Sequence, residues 1–176
     1  MTSSHSEGTV RSDLEPLFFK YGLDLWLNGH EHSYERTYPL YQGQSEKCPG
    51  VCPPGPPGAQ GRNACFETCT NPNATIYIVT GAAGSAEMHE GFDNKQPSWS
   101  AYRSNTFGYS RLIVHNHTHI NWQQVQTDPT LFPLADYGAV IDDMWVVQEH
   151  HGPFNPDTAP KGTAWRVKLQ KRWMPT

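Results

Sequence analysis

The sequence predicts an α/β fold made of one amphipathic helix and several short strands. Leu14, Leu17, Phe18 and Tyr21 recur at helical spacing. The mostly apolar run Leu23-Asp24-Leu25-Trp26-Leu27 follows, bounded by Gly22 and by Asn28-Gly29, and reads as a short buried strand. Four later runs have strand character, at residues 75–79, 109–114, 119–126 and 140–147.

The helix has start and stop signals. Ser12 and Glu15 fit a capping box, and Gly22 fits the left-handed residue that ends a helix. Pro16 is tolerated in the first turn, which points to Ser12 as the N-cap. After the first strand comes Asn28-Gly29-His30-Glu31-His32-Ser33-Tyr34-Glu35-Arg36. Sites in α/β folds gather outside the carboxyl ends of strands, where His30 and His32 fall. Gly29 is expected to let the backbone turn close to a ligand. In an extended segment the two imidazoles would point to one side. Zinc, iron and manganese all accept imidazole, so ligand type does not choose among them. Taken by itself, His-x-His also fits a strand end carrying two surface histidines.

Residues 37–41 read as a strand leaving this loop. Residues 42–73 read as an insertion rich in Gly, Pro and Cys. Its two Pro-Pro-Gly triplets, residues 53–58, are too few for a triple helix and imply an extended loop. Cys48, Cys52, Cys65 and Cys69 form two Cys-x3-Cys pairs separated by twelve residues. Three disulfide pairings are open, and the nested one (48 with 69, 52 with 65) would staple a hairpin. A zinc site has compatible spacing.

Gly81-Ala82-Ala83-Gly84 reads as a close-packed turn, with backbone approach to a phosphate as the alternative. Residues 85–106 read as a polar loop containing Met88, His89, Trp99 and Tyr102. Residues 109–114 and 119–126 form a hairpin turning at Asn116-His117. His115, His117 and His119 lie on it without a carboxylate or cysteine nearby in sequence, which argues against a second metal site. Residues 140–147 form the last strand. The polar, basic tail 155–176 is expected to be disordered or loosely packed.

The chain of 176 residues is long enough for one domain with a core. A net charge of −4 gives no nucleic-acid footprint. No run of about 18 apolar residues exists, so no helical membrane span is expected. Met1 to Val10 is polar and contains no signal peptide. Asn73-Ala74-Thr75 and Asn116-His117-Thr118 are glycosylation sequons.

Gly29-His30-Glu31-His32-Ser33-Tyr34-Glu35-Arg36 resembles the last metal-binding motif of the purple acid phosphatases, Gly/Ala-His-x-His-x-Tyr-Glu-Arg. Three further stretches agree in order. Residues 77–84 resemble the family's strand and glycine-rich turn, 107–119 its late hairpin, and 142–148 its C-terminal strand. The resemblance covers roughly residues 5–154. It implies the C-terminal part of a metallophosphoesterase sandwich, two mixed sheets flanked by helices, incomplete in this chain. The tail 155–176 lies outside it.

The resemblance further implies a binuclear centre of Fe(III) with Zn, Mn or Fe(II), hydrolysing small phosphate monoesters. His30 would bind the divalent ion and His32 the ferric ion. Two such ions clamp the attacking and leaving oxygens of an in-line displacement. His5 would face the substrate phosphate and help protonate the leaving group. His89 would lie in a loop bordering the cleft, as a candidate substrate contact, and Glu35 and Arg36 would support the site by pairing and packing. A secreted, lysosomal or vacuolar location is implied, with disulfides rather than zinc on the cysteines. A homodimer is compatible.

The family's other ligand motifs, Gly-Asp-x-Gly, Gly-Asp-x-x-Tyr and Gly-Asn-His-Glu/Asp, do not occur here. Met1-Thr2-Ser3-Ser4 is similar to the continuation of its Gly-His-Arg-Pro-Met-Tyr-like run. The chain is therefore expected to begin just past a metal ligand and to be inactive alone. Two other classes compete: a non-catalytic secreted binding domain on a degenerate scaffold, and a zinc module built on the cysteines.

Overall fold

The computed structural model describes residues 8–51, 65–84, 89, 91–92, 95–127 and 138–160. Its one described helix, α1 (Gly8–Tyr21), leads into β1 (Leu25–Asn28). The helix starts before Ser12, so Pro16 lies inside it rather than in its first turn. Ser12 therefore lies within the helix and is not its N-cap. Pro16 is exposed, and its ring has no N–H to offer the carbonyl four residues earlier. Glu15 is buried, and its Oε1 accepts the Gln42 backbone N–H at 2.9 Å. The stop is as expected. Gly22 has φ +63°, and the N–H groups of Gly22 and Leu23 return to the carbonyls of Phe19 and Phe18. A Cβ on Gly22 would also run into the Gly152 carbonyl.

Two sheets follow. The first contains β1, β7 (Ile76–Thr80), β2 (Tyr34–Thr37) and β8 (Ser100–Ser104), in that order across the sheet. β1 and β7 are parallel, and β2 runs antiparallel to both β7 and β8. The second contains β5 (Gly50–Val51), β6 (Cys65–Thr70), β11 (Val140–Val147), β10 (His119–Gln126) and β9 (Gly108–Val114). β6 and β11 are parallel, and the other pairs are antiparallel. The short β3 (Leu40–Tyr41) and β4 (Gln44–Ser45) pair with each other.

Side-chain alternation makes these sheets a sandwich. Tyr34, Ile76, Ile78 and Tyr102 of the first sheet share one core with Cys65, Cys69, Trp122, Met144 and Val146 of the second. Each fully buried isoleucine contributes about 1.5–3 kcal/mol. Tyr77, between Ile76 and Ile78, points the other way. There Phe18 of α1 packs on Trp26 and Tyr77, with ring centroids 4.6 and 6.3 Å apart. The expected two-sheet sandwich with a flanking helix is therefore present.

The core is open along one side. Leu27 of edge strand β1 is 42% exposed, and Leu112 and Val114 of edge strand β9 are 47% and 68% exposed. Register puts all three on the faces that carry the core: Leu27 opposite Ile78, Leu112 opposite Trp122, and Val114 opposite Ile120.

Several elements differ from expectation. The strand after the histidine loop begins at Tyr34, not Thr37. β6 arises within the expected insertion, with Cys65, Glu67 and Cys69 inward and Phe66, Thr68 and Thr70 outward. β8 arises within the expected polar loop 85–106, because Ser100–Ser104 pair with β2. Asn73 Nδ2 donates to the Asn155 carbonyl at 2.6 Å and to Thr158 Oγ1 at 3.0 Å, a contact the sequence did not suggest. Residues 161–176 lie outside the described residues.

Candidate metal centre

His30 and His32 follow β1 directly, at the carboxyl end of the parallel β1–β7 pair. His30 is exposed and His32 half-buried. The segment is bent rather than extended, so the rule that i and i+2 share a side does not govern it. His30 itself has φ +78°, a left-handed conformation unusual for a residue with a Cβ. Gly29 has open space around its Cα, so the unusual backbone expected of the glycine is carried by the histidine.

The loop is held from the next strand. A Cβ on Gly81 would run into the Glu31 carbonyl, so only glycine permits this approach. The Gly81 N–H donates to the Ser33 carbonyl at 3.1 Å, and the Ser33 N–H donates to the Glu31 carbonyl at 2.8 Å. The close-packed reading of the 81–84 turn accounts for this contact. His89 Nδ1 lies 2.9 Å from the His32 carbonyl oxygen, so it contacts the histidine loop's backbone.

Past the loop, Tyr34 and Arg36 turn inward. Arg36 is fully buried and pairs with Asp142 through Nε–Oδ2 at 2.7 Å and Nη2–Oδ1 at 2.8 Å. Its Nη1 reaches Glu67 Oε2 at 2.8 Å. Tyr34 donates its hydroxyl to Asp142 Oδ2 at 2.6 Å and accepts from Trp122 Nε1 at 3.0 Å. Glu35 faces the other way and accepts the Ser100 hydroxyl at 2.7 Å.

One arginine thus serves two buried carboxylates. Burial pushes the Glu67 carboxyl above its ordinary value, and Arg36 only partly opposes this. Burial pushes the Tyr34 phenol well up, and the Asp142 charge adds to it. Burial alone would lower Arg36, but the charge and hydrogen bonds of Asp142 outweigh it and hold the guanidinium protonated. The arrangement joins β2 to β6 and β11 and fixes the strand that leaves the histidine loop.

Cys48 and Cys69 are disulfide-bonded with Cα atoms 4.8 Å apart, and Cys65 is also disulfide-bonded. This excludes the zinc module on these cysteines; Cys52 lies outside the described residues. The hairpin histidines have other roles. His115 stacks on Trp145 at 4.5 Å, His119 Nδ1 bonds Thr118 Oγ1 at 2.7 Å, and the His117 carbonyl bonds His151 Nε2 at 2.6 Å. Asn116 is exposed and its Oδ1 accepts from Thr118 and His119, whereas the Asn73 amide is used against Asn155 and Thr158. His5 lies outside the described residues.

Among the described residues, no three His, Cys, Asp or Glu side chains gather as a metal cluster. Two imidazoles on an outward loop fit iron, zinc or manganese as part of a donor set. A cavity of about 400 Å³, lined by Ser45, Glu46 and residues 157–160, has no histidine in its wall.

Residues 74–143 match the family model described as iron/zinc purple acid phosphatase-like protein C. Acid phosphatase type 7 from Danio rerio is 41% identical over 145 residues, covering 80% of this chain and 27% of that protein. The Homo sapiens acid phosphatase type 7 is 39% identical over 139 residues, covering 79% and 27%. The structure of purple acid phosphatase PPD1 from yellow lupin (Lupinus luteus) superimposes with a TM-score of 0.61 at 24% identity, covering 82% of this chain and 21% of that one. The chain thus spans about a quarter of these curated relatives, over their C-terminal portion. It belongs to the purple acid phosphatase family and matches that family's C-terminal portion.

Proposed function

We propose that this chain is the C-terminal part of a metal-dependent acid phosphatase that hydrolyses small phosphate monoesters. The observation that carries the reading is the His30–His32 loop, held against Gly81 at the carboxyl end of a parallel strand pair. His30 would hold the divalent ion (zinc, manganese or iron) and His32 the ferric ion of a binuclear centre. When bound, the metal ions would supply Lewis acidity toward the phosphoryl group. His30 is exposed and His32 half-buried, so both imidazoles are open, at least in part, to a bound ion. Arg36 and Glu35 are buried and engaged elsewhere, so their part is to hold the strand. His5 would serve the leaving group.

The open side of the sandwich supports a larger catalytic domain. Leu27, Leu112 and Val114 carry apolar surface that further strands would cover. The disulfide and the exposed sequon at Asn116 favour an oxidising, secretory route.

The test compares p-nitrophenyl phosphate hydrolysis by the complete gene product and by this 176-residue chain. The reading expects metal-dependent turnover from the first and none from the second. Substantial turnover by the 176-residue chain would contradict the partial site. No turnover by the complete product would favour a non-catalytic binding domain.

A further inference from the structure

We infer that His89 is a positioning residue for the metal loop, acting through the peptide that carries His32; this rests on the proposed metal centre. Its Nδ1 lies 2.9 Å from the His32 carbonyl oxygen. A carbonyl only accepts, so Nδ1 carries the hydrogen and donates. The imidazole is fixed from its other side. Its ring lies 4.0 Å from that of Phe107. Phe107 is anchored in turn, its carbonyl accepting from the Thr127 N–H at 2.8 Å, and the next residue, Gly108, donating to Ala82 at 2.9 Å.

The contact falls on a loop that needs it. His30 is in the left-handed region and the segment from Gly29 to Ser33 lies outside any strand ladder. Gly81 restrains the Glu31 and Ser33 peptides, and His89 restrains the one between them. Three consecutive peptides of the ligand loop are thus tied to two separate segments. Metal ligands must be held within about 0.5 Å of their working geometry, and loss of a group that orients a ligand lowers metal affinity about 10- to 100-fold.

The experiment uses the complete gene product and two readouts that do not depend on turnover. One is zinc and iron affinity by competition with a chromophoric chelator. The other is hydrogen exchange of the 30–34 amides in metal-free protein. His89→Ala is expected to lower metal affinity at least tenfold and to speed exchange in that window while leaving β7 unchanged. His89→Asn returns an N–H donor near the Nδ1 position and is expected to restore both. His89→Phe keeps the packing on Phe107 without the donor and is expected to stay impaired, which covers the case in which the alanine variant does not fold.

Unchanged affinity and exchange in His89→Ala would overturn the inference. So would full function in His89→Phe, which would reduce the residue to packing. A His32→Ala control separates the two levels. If it keeps its metal, the metal-centre reading fails. If it loses metal while His89→Ala behaves as wild type, only the positioning role fails.

Discussion

Arg36 and Asp142, separated by 106 positions in the chain, form a two-bond ion pair with no solvent exposure on either side chain. This pair links the strand leaving the histidine loop to the last strand of the opposite sheet. The favourable interaction is offset by the desolvation of both ions, so the pair specifies which sheets meet more than it adds net stability. Removing one partner is a different matter, because the other charge is then stranded.

Arg36→Met is therefore expected to destabilise the protein by about 3–5 kcal/mol. Denaturant unfolding checks it. A loss below about 1 kcal/mol would mean that Asp142 and Glu67 find other partners, and the linking role would fall.

Glu67 gives a pH dependence with a definite sign. Its carboxyl is raised in the folded protein by burial, so the folded state binds its proton more tightly than the unfolded chain does. Its contribution is full below the ordinary glutamate range and is lost as pH rises through the raised value. Stability should rise as the medium is acidified across that window, and Glu67→Gln should remove this part of the slope. Thermal midpoints of both proteins against pH test it. Parallel curves would contradict the assignment.

Gly81→Ala should disturb the histidine loop through one methyl group. The added Cβ would run into the Glu31 carbonyl, and the loop must move to relieve it. Destabilisation of about 1–3 kcal/mol is expected, together with weaker metal binding. A variant with wild-type stability and metal affinity would show that the contact does not fix the loop.

The two sequons should differ in use. Asn73 spends its amide on Asn155 and Thr158, bonds that a glycan would break, whereas the Asn116 amide nitrogen is not used in its turn. Glycopeptide mapping of secreted protein is expected to find a glycan on Asn116 and none on Asn73. The reverse occupancy would contradict the packing of residues 155–160. Asn73→Ala should cost about 1–3 kcal/mol through these bonds.

The elements with a strong local pattern were legible in the sequence. The Leu14–Tyr21 spacing, the Gly22 stop, the hairpin and the final strand all appear within a residue or two of expectation. β8 was not legible, because Ser100-Ala101-Tyr102-Arg103-Ser104 owes its burial to pairing with β2 and has no apolar alternation of its own. β6 was masked by its place after a Pro- and Gly-rich run. At the candidate site, the histidine motif was plain, but the residues that hold its loop were not. Asp142, Glu67 and Trp122 meet Tyr34 and Arg36 only through tertiary folding. Gly81 carried a signal, a glycine directly after a β-branched strand, which marks close backbone approach. Gly29 drew attention by adjacency to His30, yet the left-handed residue is His30 itself.

The most direct test of the metal centre is the metal content of the complete gene product beside His30→Ala and His32→Ala, by elemental mass spectrometry after dialysis. The account predicts an iron-containing binuclear complement in the wild type, loss of iron in His32→Ala, and loss of the divalent ion in His30→Ala. Wild-type metal content in both variants would contradict it.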